Sequence, residues 1–296
     1  MFKKIFFGFV VVSAAFIQVN AQDSFGNLFS QAKTASHKGD FAGAIAKYTK
    51  ALNINPKSIA AYNNRGIANK HMGNFSEAIK DFTSALGIDP KHASSYYNRA
   101  NAKHHMGNFP EAIKDYTKAL SFKPNDAKIY NNRGVAHKDS GNIEQAIKDF
   151  TSALGIKPKS ANTYNNRGLA HAKNGKLENA IKDFTSALNI NPNCGHAYYN
   201  RGCANKKLGN MTEAKKDFKK AKVHHVKYRK DLAFSKKRFK ESSFKAQAAS
   251  FKAEDTDFNR NTFKEQADAF KAEDADFNKN PFDKRFNSFK EKDHSF

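Results

Sequence analysis

Three histidines stand at equal steps of 34 residues, His37, His71 and His105, with His104 beside the last. If each step is one structural unit, the imidazoles gather on one surface, where they would bind a metal ion or switch charge near neutral pH; as helix ends they would simply be solvated. The only thiols are Cys194 and Cys203. Flanking the start of one helix, with a rise of about 1.5 Å per residue, they would lie beyond the roughly 7 Å between Cα atoms that a disulfide tolerates. No intramolecular bridge is expected, with Cys194 in a loop and Cys203 on a helix surface. Charged pairs recur more regularly. Arg65, Arg99, Arg133, Arg167 and Arg201 are followed, sixteen residues on, by Asp81, Asp115, Asp149, Asp183 and Asp217. Where these are missing they are missing together: the first unit has Gln31 and Lys47 instead. Joint presence and joint absence point to a structural ladder of partly buried ion pairs, since a charge left without its partner would be costly. There is no glycine-rich phosphate loop, no nucleophile motif and no cysteine and histidine set at metal-ligand spacing. No catalytic residue, metal site or cofactor is therefore assigned, and the chain does not read as an enzyme.

The elements that must position these residues are set by a second period. Pro56, Pro90, Pro124, Pro158 and Pro192 are also 34 apart, the spacing of helix-turn-helix units that bury their apolar faces only against their neighbours. Within a unit, a first helix runs up to a glycine (Gly39, Gly73, Gly107, Gly141, Gly175 or Gly209), which ends it in the left-handed conformation. A second helix starts near Phe41, Phe75, Phe109, Ile143, Leu177 or Met211 and stops before the proline. Pro110 fits a helical first turn. The recurring glycine inside the first helix (Gly66, Gly134, Gly168, Gly202) costs about 1 kcal/mol relative to Ala. It implies that the paired helix passes too close for a side chain.

Counted so that the proline is residue 32, the unit has an aromatic at position 4 (Tyr62, Tyr96, Tyr130, Tyr164, Tyr198) and a small residue at 8 (Gly66, Ala100, Gly134, Gly168, Gly202). Alanine stands at 20 (Ala44 to Ala214), an aromatic at 24 (Tyr48, Phe82, Tyr116, Phe150, Phe184, Phe218) and alanine again at 27 (Ala51 to Ala221). On these residues the stretch from Phe25 to Val226 resembles the tetratricopeptide repeat (TPR) family. The end units depart from the pattern, with Leu28 and Ala32 in the first and Val226 for proline in the last, as terminal repeats facing solvent do. The resemblance implies an all-α fold, a right-handed α-solenoid of six repeats at 25–58, 59–92, 93–126, 127–160, 161–194 and 195–228. It also implies that positions 2, 5, 9, 12 and 13 of the first helices line a concave peptide-binding groove. Here these include Asn63, Lys70, His71, Tyr97, Asn101, His104, His105, Lys128, Asn131, Lys138, Asn165, Lys173, His196, Tyr199, Lys206 and Lys207. Amide donors, tyrosines and cations suit an extended acidic peptide, with Asp139 the exception. The Lys, Asn and Arg clamp with which one TPR subgroup holds chaperone tails is not matched, because Asn132 stands where Arg is needed.

Outside the repeats, Lys3 and Lys4 precede an apolar run from Ile5 to Ile17 and a small residue, Ala21. That order reads as a secretory signal peptide, residues 1–21, too short to span a bilayer, and predicts export to the periplasm, cell surface or medium. Residues 229–242 read as a basic capping helix or linker. Residues 243–296 form a Phe-rich tail with phenylalanines recurring every 19 residues (Phe244, Phe263, Phe282), as short helices or without fixed structure. A formal charge of +23 predicts an acidic partner. Two functions follow: a non-catalytic scaffold outside the cytoplasm whose groove binds an acidic protein segment, or an adaptor for an anionic membrane surface or polymer through the Lys215–Lys240 segment and the tail. Export argues against nucleic acid as the natural partner. The sequence leaves the oligomeric state open.

Overall fold

In the computed structural model, residues 24–238 are described, with side chains up to residue 224. The chain divides into two units, residues 1–249 and 250–296. The second unit, the expected signal peptide at 1–21 and the Phe-rich tail lie outside the described residues. Among the described residues twelve helices and no strands occur. In chain order they are α1 (Phe25–His37), α2 (Phe41–Ile54), α3 (Ile59–His71), α4 (Phe75–Ile88), α5 (Ala93–His105), α6 (Phe109–Phe122), α7 (Ala127–Asp139), α8 (Ile143–Ile156), α9 (Ala161–Lys173), α10 (Leu177–Ile190), α11 (Gly195–Lys207) and α12 (Met211–Arg238). Odd-numbered helices are the first of each repeat and even-numbered ones the second.

Local chemistry sets the ends. Ser24, Ser58, Asp126 and Ser160 cap first helices by accepting from an exposed backbone N–H, and Asp40 does so for α2. All six turns between paired helices hold a glycine at φ of 74° to 89°, a region closed to most side chains. Each second helix packs under its own first helix and the next one, so the core is a row of small clusters. One joins Ala78 and Phe82 of the second repeat to Ala102 of the third, and its counterpart joins Ala146 and Phe150 to Ala170.

Position 8 is tight. A Cβ built on Gly66 would lie 2.6 Å from the Phe82 ring, and one on Gly134 2.8 Å from Phe150. Where position 8 is alanine, in Ala32 and Ala100, the facing ring is tyrosine, Tyr48 or Tyr116. The tyrosine hydroxyls reach polar partners on first helices, Tyr116 to Asn101 and Tyr48 to Ser36 and Asn64.

α12 runs unbroken from Met211 to Arg238, through the expected end of the sixth repeat and into the basic segment. Cys194 caps α11 and packs against the cluster around Ala187 and Tyr198. Burial pushes its thiol up, and no disulfide joins Cys194 to Cys203.

Candidate functional site

Two polar ladders run through the solenoid, and they decide which side chains remain for a ligand. The first is built on position 7. Arg133 donates from Nε and Nη2 to the two oxygens of Asp149 at 2.8 and 2.7 Å, and the pairs Arg65–Asp81, Arg99–Asp115, Arg167–Asp183 and Arg201–Asp217 repeat that fork. The remaining guanidinium nitrogen, Nη1, donates backwards at 3.0–3.1 Å to a threonine on the preceding second helix: Thr49, Thr83, Thr117, Thr151 or Thr185. Each arginine also lies 5.5–5.7 Å from its own repeat's position 4 tyrosine ring. One residue thus ties three helices together. The bond to Asp149, offset by burial, holds the Arg133 guanidinium above its ordinary value, and Arg167 and Arg201 follow.

Two members of this ladder escaped the sequence reading. Position 25 is threonine in every repeat that is followed by an arginine-bearing one and lysine (Lys219) in the last. Position 11 also faces the aspartate. Asn69 donates to Asp81 at 3.0 Å and Lys103 Nζ lies 2.7 Å from Asp115, while His137 and His171 come to 3.9 and 3.8 Å of Asp149 and Asp183. The repeat without the pair has Ala35 there, so joint absence was a usable signal. Burial pushes His137 and His171 down, against the pull of the aspartates, and the Nδ1 atom of each is buried without a protein partner.

The second ladder corrects the expectation for the asparagines. In the third, fifth and sixth repeats the position 6 amide donates to the position 5 carbonyl of the repeat before: Asn98 to Asn63 at 3.0 Å, Asn166 to Asn131 at 3.2 Å and Asn200 to Asn165 at 3.0 Å. In the third repeat position 5 is Tyr97, and Asn132 donates to its hydroxyl (3.0 Å) and to Asn101 (3.2 Å). Asn131 and Asn165 are 5% and 3% exposed. These amides form the floor that joins neighbouring first helices and do not project toward a ligand. The recurring Asn-Asn doublet after the tyrosine was the visible signal. Its partners lie across the repeat boundary, which a unit-by-unit reading does not cross.

Of the three periodic histidines, His37 is an exposed helix end, whereas His71 and His105 pack against rings. His71 stacks on Phe41 at 4.7 Å between centroids and 7° between planes, and His105 on Phe75 at 5.1 Å and 11°. Each closes the joint to the preceding repeat. His104 lies against Phe109 and bonds to Asp139 at 3.0 Å. Among the described residues no group of three or more His, Cys, Asp or Glu side chains could hold a metal ion.

Among the expected groove cations, Lys138 is 9% exposed, with Nζ 3.3 Å from Asp139. It is not available in the way the sequence reading supposed. Lys70, His196 and Tyr199 are half-buried, whereas Lys128, Lys173, Lys206 and Lys207 are exposed. The six first helices together carry thirteen Lys and Arg residues and a single acid, Asp139. The exposed glutamates Glu77, Glu111, Glu144, Glu178 and Glu213 all lie on second helices. With the five arginines paired inside, the surface of the first helices presents lysine ammonium groups above an amide floor.

Sequence models of the TPR repeat match residues 37–73, 100–141 and 136–175. Tetratricopeptide repeat models match 59–92, 161–194 and 195–222. Among solved structures, a crystal structure of MamA is 25% identical, covers 56% of this chain and 96% of its own, and superposes with a TM-score of 0.53. A tetratricopeptide repeat protein from Parabacteroides merdae is 22% identical over 81% of this chain and 96% of its own, with a TM-score of 0.60. YrrB, described as a TPR protein with an unusual peptide-binding site, is 21% identical over 64% of this chain and 97% of its own, with a TM-score of 0.52. At 21–22% identity the last two show likeness of fold alone. No curated protein matches.

Proposed function

The chain belongs to the tetratricopeptide repeat family, whose members are generally protein-interaction scaffolds, and from that premise we propose that it is a non-catalytic scaffold acting outside the cytoplasm that holds an acidic segment of a partner protein along its first helices. The observation that carries this reading is the charge division: eight lysines and one acid on the first helices beside the five internally paired arginines, with the exposed glutamates on the second. Ammonium groups on a surface with a single acid attract carboxylates and raise the rate of encounter. The floor of paired amides and half-buried aliphatics, Ile67, Val135 and Leu169, gives an extended segment something to lie on. The basic start and short apolar run before Ala21 support the location.

The test is capture from an envelope or secreted fraction with the full chain and with a Lys173→Glu, Lys206→Glu, Lys207→Glu variant. The proposal expects the wild type to retain one or more proteins through acidic segments and the variant to lose them. Identical sets of retained proteins would overturn it.

A further inference from the structure

The cationic face of the first helices is interrupted at one place. Asp139 stands at position 13, where the first three repeats have His37, His71 and His105 and the last two have Lys173 and Lys207. His104 Nε2 lies 3.0 Å from one carboxylate oxygen and Lys138 Nζ 3.3 Å from the other. Both partners are largely covered, so His104 of the third repeat and Lys138 of the fourth are both engaged by this acid. Burial alone would raise the Asp139 carboxyl, but the bonds and charges of His104 and Lys138 hold it below its ordinary value, and it is ionised at neutral pH. Beyond it, the first helices of the fifth and sixth repeats carry no acid. Lys206 and Lys207 are exposed, and Lys173, also exposed, reaches only the backbone carbonyl of Lys138, at 3.5 Å.

Resting on the scaffold reading above, we infer that Asp139 sets the register of the bound segment, confining its carboxylates to Lys173, Lys206 and Lys207 on the fifth and sixth repeats and excluding them from the C-terminal ends of the first helices of the third and fourth. A carboxylate placed over that end of the fourth repeat meets a fixed negative charge whose neighbours Lys138 and His104 are already engaged, while the exposed Lys128 stands at the other end of the helix. The recognised segment therefore has a short acidic cluster at one end and uncharged residues over the earlier repeats.

The probes are oligoglutamates of four and twelve residues, blocked at both ends, titrated calorimetrically at low salt into the full chain. In the wild type the longer probe should bind less than about threefold more tightly than the shorter. Asp139→Asn should tighten the twelve-residue probe about tenfold and leave the four-residue probe within about twofold. Asp139→His, which copies the residue of the first three repeats, should do the same and serves if the asparagine variant misfolds. Glu144→Gln makes the same change of net charge at an exposed acid on the second helix of that repeat, and should alter neither probe. An unchanged ratio in both Asp139 variants, or an equal gain in Glu144→Gln, overturns the inference. If Lys173→Gln, Lys206→Gln, Lys207→Gln leaves the short probe unaffected, the underlying assignment of the anion-binding face falls, by a result that the Asp139 variants do not share.

Discussion

Replacing Asp149 by alanine tests the arginine ladder at its centre. The Asp149 side chain is 8% exposed and that of Arg133 20%. The change removes both bonds of the fork and leaves Arg133 with Thr117 and the Tyr130 ring. Removing one partner of a fully buried pair costs about 3–5 kcal/mol, and access of water to a fifth of the arginine lowers the expectation to about 2–4 kcal/mol. For a domain of this size 1 kcal/mol is worth roughly 2–4 °C, so Tm should fall by about 5–15 °C. Thermal unfolding followed by circular dichroism at 222 nm reads it directly. Because repeats contact only their neighbours, the loss should also broaden the transition as the two halves uncouple. Replacing both partners, Arg133→Met with Asp149→Leu, should recover most of the loss, since an apolar pair of similar volume is often neutral. A Tm for Asp149→Ala within about 1 °C of wild type, the range of an ordinary surface substitution, would refute the view that the arginine is held by its aspartate.

Gly134→Ala should destabilise by up to about 2 kcal/mol in denaturant titration, because overpacking against Phe150 costs about 1–3 kcal/mol while alanine returns only about 1 kcal/mol of helix propensity. Adding Val135→Asn and Phe150→Tyr copies the Ala100, Asn101 and Tyr116 set and should restore most of it. Stability should also depend on pH through His137 and His171. Their folded pKa values are lowered by burial, so the unfolded chain takes up protons first. The stabilisation is complete above about pH 6.5 and is lost as pH falls through that value. Urea midpoints at pH 7.5 and 5.5 should diverge less in a His137→Asn, His171→Asn variant, which carries the residue found at that position in the second and sixth repeats.

The repeat architecture was legible because each unit is nearly self-describing: the proline, the turn glycine, the alanines and the aromatic of position 24 recur at one step and account for the helix pairs. The partnership of Arg133 with Asp149 was legible too, because both lie in one unit and vanish together from the first. What crosses a unit boundary was not. The Asn200–Asn165 bond, the Arg133–Thr117 bond and the stacking of His71 on Phe41 each join residues of neighbouring repeats, at offsets that depend on how one pair of helices sits on the next. The period fixes which positions are equivalent and leaves open which are neighbours. For the same reason Lys138 was taken as a free cation: nothing in its own repeat shows that His104, from the repeat before, helps anchor the acid beside it.

The central claim is that the first helices hold an acidic partner. A photo-crosslinking residue placed at Lys207, on a first helix, and separately at Lys182, exposed on a second helix, tests it in cells. The account predicts that position 207 captures a protein segment of net negative charge and that position 182 does not. Equal capture from both positions, or a captured segment of net positive charge, would contradict it.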